Sequence, residues 1–250
     1  MKSHFIIMSN SYSDGARIAL DINKEDELNA DYISKIIYGI KKSCGEDTPI
    51  STHSIWAESD EWSSVIKSDP FFKTVKVIDS TEEFIMKIKR DRTLKGTDIA
   101  KYILSKISCS HLKLEKLCYL CYADYMCKTK GQHLFEDRIY AFKYGPVVDS
   151  VYEKYKKFGS LKISEVEEII EKQEHMKIPL ESRILFAENR VQKVWSIDET
   201  LKKYGGLPAS KLVNITHKEG SPWEKSYKGD MYGEISDECV LSCHCNESID

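Results

Sequence analysis

The segment Leu112 to Lys128 constrains this chain more than any other. Leu114, Leu117, Cys118, Cys121 and Tyr125 recur at helical spacing and form one apolar face. Tyr119, Tyr122 and Met126 form a second. A helix that is apolar on most sides has no face to give to water, so the spacing predicts a central helix with other elements packed around it. It does not predict a membrane span. The apolar run Leu117 to Met126 is well short of the ~20 residues a span needs, and it contains Asp124. With 250 residues and a hydrophobic fraction of 41%, the chain can bury one large core or two ordinary ones.

Further helices are expected around that centre. Ile99, Ile103 and Ile107 are spaced by four after Thr97, a possible cap. Arg138 to Tyr144 reads as extended and aromatic. Gly145-Pro146 is expected to break it and open a helix carrying Val148, Val151, Tyr152 and Tyr155, with Gly159 as its end. Ser164 with Glu167 is a capping box, backed by Val166, Ile169 and Ile170. Val191, Val194, Trp195 and Leu201 stripe a further helix that Gly205-Gly206 ends. Leu207 to His217 is a short helix, and Ser221-Pro222-Trp223-Glu224 opens another.

The first ~90 residues differ in character. Phe5 to Met8 and Arg17 to Ile22 read as strands around a polar turn. Leu28 to Ile40 is helical and Gly45 stops it. Lys73 to Ile78 is a strand, and Ser80 with Glu83 caps a helix carrying Phe84, Ile85 and Ile88. The expected fold is α+β, with an all-α C-terminal domain preceded by a small N-terminal α/β module. The expected boundaries are 1–92 for the module, 97–235 for the helical domain and 236–250 for a tail.

Four segments in the second half resemble a known family, the Panacea domain, also called the SocA-like antitoxin domain and found in phage-associated GepA-like proteins. They are Asp98 to Leu104, Leu112 to Tyr119, Ala141 to Val148 running on to Val151-Tyr152, and His217 followed by Ser221-Pro222-Trp223. Their order and spacing are similar to the family pattern over about residues 97–233. The resemblance implies a prokaryotic, all-helical antitoxin domain that binds a protein toxin, usually encoded beside it. Leu117, Tyr119, Tyr152, His217, Pro222 and Trp223 are then structural motif residues. Cys118 and Cys121 stand where the pattern has Leu and a small residue, and the Cys239 to Cys245 tail lies outside it. The module before Arg90 resembles no particular family.

Catalysis is not expected. The seven histidines are scattered, and no phosphate loop, dinucleotide fingerprint or Gly-x-Ser-x-Gly motif is present. His217 reads as a hydrogen-bonding residue at a helix end. Cys118-x-x-Cys121 sits mid-helix without a second pair at zinc spacing, so core packing is expected. Cys239, Cys243, His244 and Cys245 are the better metal candidates, but Cys-x-Cys is an uncommon spacing and a frayed tail is the simpler reading. No cofactor and no metal are therefore expected. Without an export signal, the eight cysteines are expected to be reduced in the cytoplasm.

A net charge of −3, with Lys and Glu interleaved as in Glu165 to Lys177, argues against general nucleic-acid binding. The function expected is that of a type II antitoxin contacting its cognate toxin directly. Homo-oligomerisation is compatible with it, and no membrane is involved. A DNA-binding regulator or a protease adaptor is the alternative, with a hydrolase behind them. Lys116, Lys143, Tyr144, Gly145, Pro146 and Val147 are the candidate toxin-binding residues. The two lysines sit inside apolar segments, and the Gly-Pro junction fixes backbone direction. Tyr119, Trp195 and Trp223 are expected in the core, with Lys116 able to snorkel to water.

Overall fold

The computed structural model describes residues 1–163, 182–229 and 233–247. The capping box at Ser164 and Glu167, and the charged run Glu165 to Lys177, lie outside the described residues. The chain divides into two compact units. One is 1–93 with 186–188, and the other is 94–185 with 189–250.

The first unit is mixed α/β. Strands β1 (Lys2–Ser11) and β2 (Ala16–Ile22) form an antiparallel hairpin in which Phe5 faces Ile22 and Ser11 faces Ala16. Helix α1 (Ala30–Cys44) begins at Asn29, whose side chain accepts from the Tyr32 N–H. It ends at Gly45, where φ is +103. Strand β3 (Ser51–Ala57) pairs antiparallel with β1, and helix α2 (Trp62–Ser68) follows. A 3-10 turn leads to β4 (Val75–Val77), parallel to β2, and then to α3 (Thr81–Arg92), capped by Ser80. The sheet order is β3-β1-β2-β4. Strand alternation splits the core in two. Ile7, Ile18, Leu20 and Ile22 pack with Ile40 and Phe84 of α1 and α3. Ile6, Met8 and Ala19 pack on the opposite face with Val65 and Phe72.

The expected order β-β-α-β-α lacked β3 and α2. Residues 51–57 read Ser-Thr-His-Ser-Ile-Trp-Ala, with little apolar alternation, because an edge strand buries little.

In the second unit, α4 (Gly96–Lys106) starts one residue ahead of Thr97. The N-cap is Lys95, not Thr97, and the Asp98 carboxylate at the third helical position accepts from the Lys95 N–H as in a capping box. Helix α5 (His111–Thr129) is the buried centre: Leu117, Cys118 and Cys121 are fully enclosed, and Tyr119 nearly so. Its Lys130 C-cap is left-handed. Strands β5 (Ile139–Phe142) and β6 (Gly145–Val148) form a hairpin, followed by α6 (Asp149–Tyr155). After α7 (Ser182–Leu185) come α8 (Arg190–Tyr204), α9 (Ala209–Thr216) and α10 (Pro222–Ser226). A short β7 (Gly233–Glu234) pairs with β5, giving a sheet of order β6-β5-β7, and α11 (Asp237–Glu247) follows.

Several expectations for this unit are corrected. It is not all-α, because it holds a three-stranded sheet, and Gly145-Pro146 opens a strand instead of a helix. Pro146 is tolerated there because β6 lies at the sheet edge, where a missing N–H costs no ladder bond. The stripe on α8 is inward only in part: Leu201 is buried and Val194 half-buried, but two of its members turn outward. Trp195 is 56% exposed and Val191 is exposed too, while Lys193, Ser196, Ile197 and Thr200 are buried. Finally, residues 237–247 are helical, not frayed. Helix α11 is tied to α5 by a Cys127–Cys245 disulfide, so these two thiols are not reduced.

Candidate functional site

The motif segments converge on the β5–β6 hairpin. Phe142 pairs with Gly145, so Lys143 and Tyr144 form the tip. Neither tip residue has a positive φ, and the reversal rests on Gly145 at φ +105. Helix α5 braces the far side of β6. The Lys116 ammonium donates to the Pro146 carbonyl at 2.7 Å, and the Val148 N–H donates to Glu115 Oε2 at 3.0 Å. A carbonyl at one strand position and an N–H two residues on point the same way. The adjacent Glu115 and Lys116 thus satisfy the outward edge of β6, the work a further strand would otherwise do.

Burial makes this brace electrostatically tense. Glu115 and Lys116 are almost wholly enclosed. Desolvation pushes the Lys116 pKa from its ordinary 10.5 down to about 7, against the pull of the Glu115 charge. Desolvation raises Glu115, while His111, the Val148 N–H and Lys116 pull it down. His111 Nε2 stands 3.4 Å from Glu115 Oε1 without hydrogen-bond alignment, one turn earlier on the same helix face. His217 is lowered by burial first and by the Lys116 charge second.

The other motif residues clamp the hairpin. Ser221 Oγ donates to Thr216 O and caps α10 by accepting from the Glu224 N–H. That start places Trp223, whose Nε1 donates to Phe142 O at 2.7 Å. His217 stacks on Trp223 with centroids 3.6 Å apart and planes 18° apart. Trp223 stacks in turn on Tyr227 at 4.9 Å. Tyr152 meets Phe142 edge-on at 5.1 Å and His111 at 5.4 Å. Pro222 is buried beneath.

The six candidate contact residues therefore separate into two groups. Lys116, Gly145, Pro146 and Val147 are buried and cannot form a contact surface as the chain stands. Lys116 does not snorkel to water, because the Pro146 carbonyl takes its ammonium. Lys143 and Tyr144 are exposed, Tyr144 by 62%, and the Lys143 ammonium lies 5.7 Å from the Tyr144 ring centre. Among the motif residues, Leu117 and Tyr119 are core, as expected, whereas Trp223 is half-buried. Glu115 and His111 were not singled out from the sequence. The available signal was their four-residue spacing beside a lysine inside an apolar face.

A second polar cluster was also missed. His244 of α11 bonds Asp124 at 2.8 Å, and Thr200 donates to the same carboxylate at 2.8 Å. Burial pushes Asp124 up, but these partners outweigh it and hold the carboxyl below its ordinary value. Cys118 and Cys121, fully buried, have thiols pushed well above their ordinary range by desolvation. Among the described residues no group of three or more His, Cys, Asp or Glu side chains could hold a metal ion. No helix among them is long and apolar enough to cross a membrane. What the hairpin site offers is a rigid mount for two exposed side chains. Its amine and carboxylate are enclosed and used internally.

No curated protein and no solved structure matches the chain significantly. Residues 114–224, which contain most of α5, the braced hairpin and the Trp223 clamp, match the family model described as antitoxin SocA-like, Panacea domain, the family the motif order resembles.

Proposed function

We propose that this protein is the antitoxin of a type II toxin–antitoxin system, acting in the cytoplasm by direct binding to a cognate protein toxin and not by catalysis. The observation that carries this reading is the Panacea-domain match over residues 114–224. Its motif residues converge on one structural task, the bracing of the hairpin that projects Lys143 and Tyr144. A preformed tip loses little conformational freedom on binding, so its side chains suit the role of anchors. The toxin is expected from a neighbouring reading frame.

The test is co-expression. Cells expressing the neighbouring toxin should survive when this chain is expressed with it. Lys143→Glu and Tyr144→Ala should reduce survival while circular dichroism stays unchanged. If the parent chain fails to rescue but binds its own operator fragment tightly, the regulator reading replaces this one.

A further inference from the structure

The sheet of the first unit has two edges of opposite character. At one edge, β4 has three residues and carries Lys76, ion-paired to Asp14 at 3.6 Å. Short length and a lysine are what proteins use to stop an edge from recruiting another strand. In the second unit the β6 edge is closed by Glu115 and Lys116. The β3 edge has no such device. It runs seven residues, Ser51–Ala57, with no charge, no proline and no glycine. Among the described residues no strand pairs with its outer side. In a paired strand alternate backbone groups face away from the partner, so this edge carries a row of N–H and C=O groups that no strand among the described residues takes up. Beside them stands Trp56, 63% exposed.

We infer that β3 is a self-association edge, pairing antiparallel with β3 of a second copy of this chain across a twofold axis through Ser54. An isologous contact must be complementary to itself. The register that pairs the whole strand sets Ser51 against Ala57, Thr52 against Trp56, His53 against Ile55, and Ser54 against its own counterpart. Thr52, Ser54 and Trp56 share one face and are exposed, so each Trp56 would cover the partner's Thr52, an aromatic on β-branched pair. His53 and Ile55 share the other face, both half-buried. No like charges meet anywhere in this register. Glu58, Asp60 and Glu61 follow the strand and fall outside it. The neutrality of the strand favours a second copy over a charged partner segment. The resulting sheet would have eight strands, twice the four of one copy.

One edge buries less than a standard interface, so the full chain is to be weighed by light scattering at high concentration, ~100 µM. The parent should approach twice its 28.8 kDa mass on concentration. Ser54→Lys sets two ammonium groups face to face on the axis and should return the mass to that of one chain. Ser54→Glu should do the same. Ser54 is exposed, so both variants should keep the parental circular dichroism. Mixing the two variants should restore the dimer, and native mass spectrometry should find one copy of each. A parent that stays at 28.8 kDa overturns the proposal. So does a Ser54→Lys chain that dimerises as well as the parent. Loss of the dimer that mixing does not restore overturns the register. An edge that instead takes up a strand of the toxin would give the first of these results, with the Ser54 variants weakening toxin binding.

Discussion

Gly145→Ala is the sharpest probe of the brace. A residue with a side chain at φ +105 is strained by about 1–3 kcal/mol. The added Cβ would sit 2.8 Å from Lys116 Cε, 2.9 Å from Lys116 Nζ and 3.0 Å from Thr216 Oγ1. The lysine is enclosed, so it can yield only by leaving the Pro146 carbonyl. A buried carbonyl left without a donor costs about 1–3 kcal/mol more. Together these give a loss of about 2–6 kcal/mol, a large part of the ~5–15 kcal/mol that holds a domain folded. Urea denaturation of the full chain, followed by near-UV circular dichroism, reads the loss. The same substitution in a Lys116→Ala background meets no lysine and displaces no carbonyl donor, so there it should cost the backbone strain of about 1–3 kcal/mol and whatever the Thr216 hydroxyl must give way, less than in the parent. A Gly145→Ala loss below ~1 kcal/mol, or a loss that Lys116→Ala leaves unchanged, would refute the reasoning.

Three further outcomes follow from the same structure. Because the folded state holds Lys116 at about 7 against 10.5, the unfolded chain binds more protons between those values. The Lys116 contribution therefore makes stability rise with pH from about 7 to 10.5, and the curve for Lys116→Met should lack that rise when thermal melts are compared. Non-reducing peptide mapping should join Cys127 to Cys245 and alkylate the other six cysteines, while Cys245→Ser should cost ~2–4 kcal/mol in a urea melt by freeing α11 from α5. Trp223→Phe keeps the stacking surface but loses the Nε1 donation to Phe142, so calorimetry should find about 1–3 kcal/mol less stability for the carbonyl left unmet.

Where burial and polarity agree, the fold was legible in the sequence. The β1–β2 hairpin, the Gly45 stop and the Ser80 cap follow from alternation and capping chemistry. The Ser221-Pro222 start follows from the same rules. Segments whose polarity contradicts their burial were not legible. Lys193 faces inward because its ammonium reaches the Leu134 carbonyl at 3.2 Å, and Thr200 because it bonds Asp124, so the apolar Trp195 and Val191 turn outward. Pro146 reads as a helix opener until the sheet order shows an edge strand beside it. Helix α11 is polar and near the end of the sequence, and what holds it are long-range contacts, among them the Cys127 disulfide, the Asp124–His244 pair and the bonds of Asp237 to Tyr122 and His133. At the candidate site, Tyr144 and Lys143 could be picked from their place at a turn. The pairing of Lys116 and Glu115 with the strand edge requires knowing that, among the described residues, β5 is the one strand beside β6.

The most direct test of the central claim is the Kd of the purified neighbouring toxin for this chain, measured by titration calorimetry beside Tyr144→Ala and Lys143→Glu. A tyrosine anchor in a desolvated pocket is worth ~2 kcal/mol or more on truncation, so Tyr144→Ala should weaken binding more than about tenfold. Lys143→Glu, which reverses the neighbouring charge, should weaken it as well. Tight binding by the parent with an unchanged Kd in both folded variants would contradict the account, and place the toxin on a surface other than the braced hairpin.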